Sequence, residues 1–234
     1  MFNALIYNPL YNALAIIYNT VAFHDLGIAI IVLTIVVRIV LYPLFHKMAR
    51  NQTLLQKIQP RVKEIQHTHR ENKEKLAQEL LALYREHKIN PLSSFLALLI
   101  QLPILFVLFS IFSTGFTAES ASHLYSFVAM PRETAHGFFG LLDLHERSIF
   151  IAGIVGAAQF IQGKLSLKIS GSASEGAVAK ATKNMIFIMP IVVFLIGMQL
   201  PAAVGLYYAT TTIFGAAQQW FINRSITREF KAPS

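Results

Sequence analysis

No cysteine occurs in the 234 residues, which excludes disulfides, thiolate metal sites and cysteine-linked lipid anchors. Charge is also scarce. Asp, Glu, Lys and Arg make up 14% of the chain, where soluble domains carry about 25%. Acids are fewest, 12 against 20 Lys and Arg, and none falls inside an apolar run. That removes the paired carboxylates expected of an intramembrane protease or a proton-driven carrier. HExxH, GxSxG and P-loop patterns are missing too, so neither enzyme chemistry nor a cofactor is expected. His67 and His69 stand two apart and share no helix face, which argues against a zinc pair. Met1 to Asp25 holds no Lys or Arg and lacks the basic start of a cleaved signal, so Met1 is read as the true start and the first span as retained.

What remains is apolar. Hydrophobic residues make up 54% of the chain and the mean hydropathy is +0.51, values that fit an integral membrane protein with little room for a second globular domain. Five apolar segments are read as transmembrane helices: 26–44, 92–112, 149–162, 185–200 and 202–221. The first, Leu26–Leu44, would make a helix of about 28 Å, close to the hydrocarbon thickness of a bilayer. The third is short and needs Ser148 or Lys164 to reach the interface. Its Gly153, Gly156 and Gly163 permit close helix–helix approach. The last two are joined by a turn at Pro201.

Charge between the segments predicts orientation. Residues 45–91 carry ten Lys and Arg against five acids, and 163–184 carry four against one. Residues 113–148 carry two bases against four acids, 1–25 a single acid, and 222–234 three bases against one acid. Under the positive-inside rule the N-terminus and 113–148 are extracytoplasmic, while 45–91, 163–184 and the 222–234 tail are cytoplasmic. Anionic lipid is the default partner of so basic a cytoplasmic face. Segment 45–91 repeats leucine and isoleucine at helical spacing on both sides of Arg70–Lys73, which predicts an antiparallel helical hairpin kinked or interrupted at Pro60. Such a hairpin either lies on lipid head groups or serves as a docking arm, and composition does not separate the two.

Arg38 stands alone in the first span, with Thr34 one turn away on the same face. A guanidinium near the bilayer centre costs about 2.5–3.5 kcal/mol on insertion-derived scales. Arg38 lies five residues before Pro43, about 7.5 Å along the axis, so snorkelling to the interface is one account of it. Gln101, Gln159, Gln162, Tyr207, Tyr208, Thr211, Thr212 and Gln218 also fall inside spans. Interhelical hydrogen bonding explains any one of them. Together with an arginine that has no intramembrane acid, they suggest a hydrated concavity attracting anionic groups. Tyr208, Thr212 and Gln219 fall at helical spacing, which is more often packing than a pocket.

These residues resemble the YidC family of membrane protein insertases, with its mitochondrial and chloroplast relatives. The likeness runs through Gly27–Leu44 (GIAIIVLTIVVRIVLYPL), Lys57–Arg61 (KIQPR), Leu80–Val107 (LLALYREHKINPLSSFLALLIQLPILFV) and Pro201–Tyr208 (PAAVGLYY) with Gln218-Gln219. It implies five transmembrane helices around a hydrophilic groove open to the cytoplasm, plus the cytoplasmic hairpin. By that likeness Arg38, Thr34, Gln101, Leu102, Leu105, Gln159, Gln162, Tyr207 and Tyr208 form the client-binding groove, and Lys57, Arg61, Lys63, Arg70, Lys73 and Arg85 belong to the docking hairpin. Nascent membrane proteins are the implied clients. The Sec translocon, the ribosome and signal-recognition components are further candidate partners, and no direct nucleic-acid contact is expected. Gln199 departs from the bulky aromatics that many relatives carry before the Leu-Pro turn. Two other classes stay open: a small anion channel or carrier built on Arg38, and an assembly factor that scaffolds partners with its basic hairpin.

Overall fold

The computed structural model describes residues 3–90, 92–117, 120–131, 137–170 and 177–229. Stretches 132–136 and 171–176, inside the expected loops 113–148 and 163–184, lie outside the described residues, as do 230–234 of the expected tail. The fold is helical. The helices are α1 (Asn8–Thr20), α2 (Leu26–Val40), α3 (Tyr42–Thr68), α4 (Lys73–Glu86), α5 (Ser93–Thr114), α6 (Ile149–Ser170), α7 (Ala177–Gly197) and α8 (Ala202–Glu229), with a long connection, 115–148, between α5 and α6. A two-stranded antiparallel hairpin, Gly137–Phe138 with Leu142–Asp143, is the one sheet among the described residues.

The expected helix over Leu26–Leu44 is shorter than its apolar run. α2 stops at Val40 and α3 departs from it at 74°. Pro43 has no N–H to offer the Ile39 carbonyl and its ring crowds that carbonyl, so the helix turns rather than continues. Pro60, by contrast, does not interrupt the hairpin's first arm: α3 is one helix from Tyr42 to Thr68. Pro60 is exposed, and Ile58 and Val62 on either side of it pack against Leu83 of α4. The segment 163–184, read as a loop, is helical to Ser170 and again from Ala177, because polar side chains end an apolar window without ending a helix.

Among the described residues one helix, α6, is long and apolar enough by itself to cross a membrane, over Ile149–Ser166. The count becomes two if the bent α2–α3 pair is one span; the apolar parts of α5 and α7 are the shorter Leu99–Phe112 and Asn184–Gly197.

One apolar core joins α1, α2, α5, α6 and α8 through Tyr11, Leu14, Tyr18, Ile30, Leu33, Leu108, Ile111, Val155 and Ala203, all nearly inaccessible. Within segment 1–25, which the sequence reads as an extracytoplasmic or interfacial lead-in to the first span, α1 packs into the core and buries Tyr11, Leu14 and Tyr18 completely. Asn12 secures it: its amide donates to the His123 carbonyl at 2.8 Å and its Oδ1 accepts from the Tyr125 amide at 2.7 Å. Asp25 caps α2, accepting from the Ile28 N–H at 2.9 Å, while its other oxygen accepts from the Phe139 N–H at 2.5 Å. The carbonyls of Glu146 and Leu144 accept from the Ala202 and Ala203 N–H groups at 2.9 and 3.0 Å, satisfying the start of α8. α6 and α7 meet closely at Gly156, where an added Cβ would lie 3.3 Å from the Pro190 carbonyl oxygen, and at Gly163, 3.1 Å from Ile186. Gly153 faces open space.

Candidate functional site: a polar cavity at the end of the core

Four of the core helices, α2, α5, α6 and α8, are apolar at one end and carry polar groups towards the other. α2 buries Leu26, Ile30 and Leu33 before it reaches Arg38; α6 buries Ile151 and Val155 before Gln159 and Gln162. α5 runs the opposite way, from Gln101 to the buried Val107, Leu108, Ile111 and Phe112. α8 begins with Ala202, Ala203 and Val204 in the core and then presents Tyr208, Thr211, Thr212, Gly215, Gln218 and Gln219 at three- and four-residue intervals, one face of a helix. The bend at Leu41 lays the first turns of α3 across that end. Phe45, Met48, Ala49 and Gln52 thereby close one wall of a cavity of about 300 Å³, whose other lining residues are Arg38, Gln101, Gln162 and the α8 face.

The Arg38 guanidinium lies over the Phe45 ring, its carbon 4.3 Å from the ring centroid, an attractive cation–π geometry. Gln101 donates its amide to the Tyr207 hydroxyl, and the Tyr208 hydroxyl donates to Gln159 Oε1 at 3.4 Å. Gln219 donates to Thr53 Oγ1 and, at 3.1 Å, to Asn223 Oδ1, tying α8 to α3. Gln218 is buried with its amide nitrogen unpaired. No carboxylate lines the cavity among the described residues. The arrangement is therefore a cation in a pocket of amides and hydroxyls, suited to receiving an acidic or strongly dipolar group.

Of the residues singled out in sequence, Arg38, Gln101, Gln162 and Tyr208 line this cavity, while Gln159 and Tyr207 stand one hydrogen bond behind it. Thr34 does not join them: it is buried and donates to its own helix's Ile30 carbonyl at 2.6 Å. Leu102 is exposed and Leu105 half-buried, both away from the lining. Tyr208, Thr212 and Gln219, whose helical spacing reads more often as packing, are lining residues, as are Thr211 and Gln218; Gln52 and Met48 carry no such signal because their stretch reads as part of the hairpin. Arg61, Arg70, Lys73 and Arg85 are exposed along α3, α4 and their connection, with Lys57 and Lys63 half-buried; none of these six reaches the cavity. His69 Nε2 faces Glu79 at 3.1 Å, and no group of potential metal ligands occurs among the described residues.

A helical bundle that is apolar at one end and opens a cation-bearing polar cavity at the other defines an all-helical protein with a binding cavity in its core. The 60Kd inner membrane protein family matches residues 16–229, and the chain belongs to it. A relative from Fusobacterium nucleatum subsp. nucleatum, named membrane protein insertase YidC, is 34% identical over 219 residues, covering 93% of this chain and 96% of that one. Proteins of the same name from Syntrophus aciditrophicus and Chlamydia trachomatis serovar D are each 30% identical, over 92% and 85% of this chain. The chain spans nearly the whole Fusobacterium protein but only 36% and 25% of the other two. The family places it in the bacterial inner membrane.

Proposed function

We propose that this chain is a membrane protein insertase in which the polar cavity receives the hydrophilic tail of an entering client. Arg38 carries the reading: a fixed cation sits inside a helical bundle with a ring, amides and hydroxyls around it and no carboxylate in the lining described. A client charge at the bilayer centre costs about 2.5–3.5 kcal/mol or more. A hydrated cavity part-way across lowers that cost, and Arg38 attracts acidic groups in the tail. The client's apolar segment then moves into lipid beside α5 and α7, whose exposed Phe106, Phe109, Ile188, Ile191 and Leu195 offer an apolar surface. Its partition supplies the driving force, so neither nucleotide nor covalent chemistry is required.

In this reading α2, α5, α6, α7 and α8 are the five spans, short ones accommodated by local thinning of the bilayer and by polar ends. The charge distribution supports an extracytoplasmic N-terminus and a cytoplasmic α3–α4 pair, whose Lys57, Arg61, Lys63, Arg70, Lys73 and Arg85 are candidates for docking the Sec translocon, ribosome or signal-recognition components. Tyr207 and Tyr208 hold the cavity wall, and Leu102 and Leu105 lie along the exit path.

The test uses purified protein in liposomes and a single-span client with a short N-terminal tail, scored by protease protection. Arg38→Ala is expected to lower insertion of acidic-tailed clients about tenfold while neutral tails change little. Equal insertion of both tails by the variant would remove Arg38 from the mechanism, and no protein-dependent protection would remove the insertase reading.

A further inference from the structure

A second cavity, of about 460 Å³, lies where α3, the end of α4 and the start of α5 converge, and shares Met48 with the Arg38 cavity. Three cations line it: Lys47 on α3, Arg85 on α4 and Lys88 just beyond α4, all exposed. No carboxylate lines it, and none of the three pairs with an acid among the described residues. The rest of the wall is mainly apolar, including Leu44, Ile89 and Leu96. From its mouth α5 presents Leu92, Leu96 and Leu99, 68%, 45% and 48% exposed, at helical spacing along one face. Ser93 places the N-terminus of that same helix, with its partial positive charge, at the cavity.

Lys88 is unusual in its backbone. Its φ is +52°, and it occupies the left-handed position that ends α4: its N–H donates to the Arg85 carbonyl at 3.0 Å and the next N–H, of Ile89, donates to Tyr84 at 2.8 Å. Glycine suits that position, since it alone has no Cβ to strain there. Cations favour helix C-termini, which accounts in part for Arg85 and Lys88, but not for Lys47 on another helix or for the apolar cavity between them.

We propose that this cavity binds one anionic phospholipid, its phosphate held by Lys47, Arg85 and Lys88 and an acyl chain lying on the exposed leucines of α5. Basic pockets at the cytoplasmic ends of membrane helices are suited to such head groups. An acidic protein segment would match the cations but not the leucine face, which continues away from the charge in the direction an acyl chain takes. The inference rests on the membrane placement of α5 given above, but not on insertion activity.

The full chain, purified in neutral detergent, is titrated with phosphatidylglycerol or phosphatidylcholine of equal chain length, and bound lipid is counted by native mass spectrometry. One phosphatidylglycerol is expected to bind in preference to phosphatidylcholine. The double variant Lys47→Gln/Arg85→Gln should weaken it about tenfold or more, given the contribution of each basic residue near an anionic surface. Lys63→Gln/Lys73→Gln removes equal charge from the same helix pair and should leave binding within about twofold. Lys88→Gly relieves the backbone and so folds at least as well, yet should also bind phosphatidylglycerol more weakly. Equal loss in both double variants would reduce the effect to general electrostatics and overturn the site. Displacement of the lipid by inorganic phosphate at matched concentration would overturn the acyl contact. No client is present, so failure of the insertase reading leaves this result standing.

Discussion

Arg38 sits within the last turn of α2, over the Phe45 ring, in a cavity lined by amides from four other helices. The ring is the feature most open to a clean test, because Phe45→Leu keeps the apolar wall and removes only the cation–π contact, worth about 0.5–2 kcal/mol. Insertion of acidic-tailed clients by Phe45→Leu is expected to fall by a smaller factor than by Arg38→Ala, read as initial rates in the same liposomes. A fall as large as that of Arg38→Ala would make Phe45 part of the client path rather than a rest for the guanidinium. At Lys88 the expectation is a gain: a non-glycine residue in the left-handed region costs about 1–2 kcal/mol, so Lys88→Gly should raise the thermal unfolding midpoint in detergent. Arg38, Gln101, Gln162 and Tyr208 stood out in sequence because polar groups in apolar runs are conspicuous. Gln52 and Met48 did not, since a glutamine or methionine in a basic amphipathic stretch carries no signal of its own. Thr34 shows the converse: same face, same polarity, yet its hydroxyl is spent on the Ile30 carbonyl.

Helix pairing decides the rest of the site. α3 is held on α8 by Thr53, which takes the Gln219 amide and stands 3.1 Å from Asn223 Oδ1. Thr53→Val leaves buried polar groups short of a partner, at about 1–3 kcal/mol, and should lower the unfolding midpoint by about 3–8 °C. Thr68→Val, exposed on the same helix, should leave it within about 1 °C. The glycines of α6 separate in the same way. Gly156 packs on backbone that cannot yield, the Pro190 carbonyl, so Gly156→Val should destabilise by about 1–3 kcal/mol. Gly153→Ala meets nothing within 4 Å and should stabilise by about 0.5–1 kcal/mol through helix propensity. Both are read by thermal unfolding of the detergent-solubilised chain. In sequence these glycines were equivalent, because spacing along one helix does not say where the neighbouring helix crosses.

Across the whole molecule, the charge pattern predicts a topology that the absence of cysteine makes easy to measure. Single cysteines introduced at Leu141, Lys73 and Ser225, all exposed, serve as reporters for a membrane-impermeant maleimide on intact cells. Leu141→Cys should be labelled directly, and Lys73→Cys and Ser225→Cys only after permeabilisation. Labelling of Lys73→Cys from outside would invert the orientation and place the cavity on the wrong side for clients made in the cytoplasm.

The amino-acid sequence alone determined the helical, membrane-embedded class and the family, because both rest on composition and on local strings: long apolar runs, the lone arginine before Tyr-Pro-Leu, the Asn-Pro-Leu and Gln-Leu-Pro-Ile segments. It also marked the break near Arg70–Lys73, where Asn72 caps α4 by accepting from the Lys75 N–H at 3.0 Å. Tertiary structure decided where α2 ends, that α3 continues past Pro60, that α1 is part of the core, and that α3 closes one wall of the Arg38 cavity. Those outcomes depend on contacts between residues far apart in the chain. A proline bends one helix and is carried by another according to what packs beside it, and that neighbour is not written next to it in sequence.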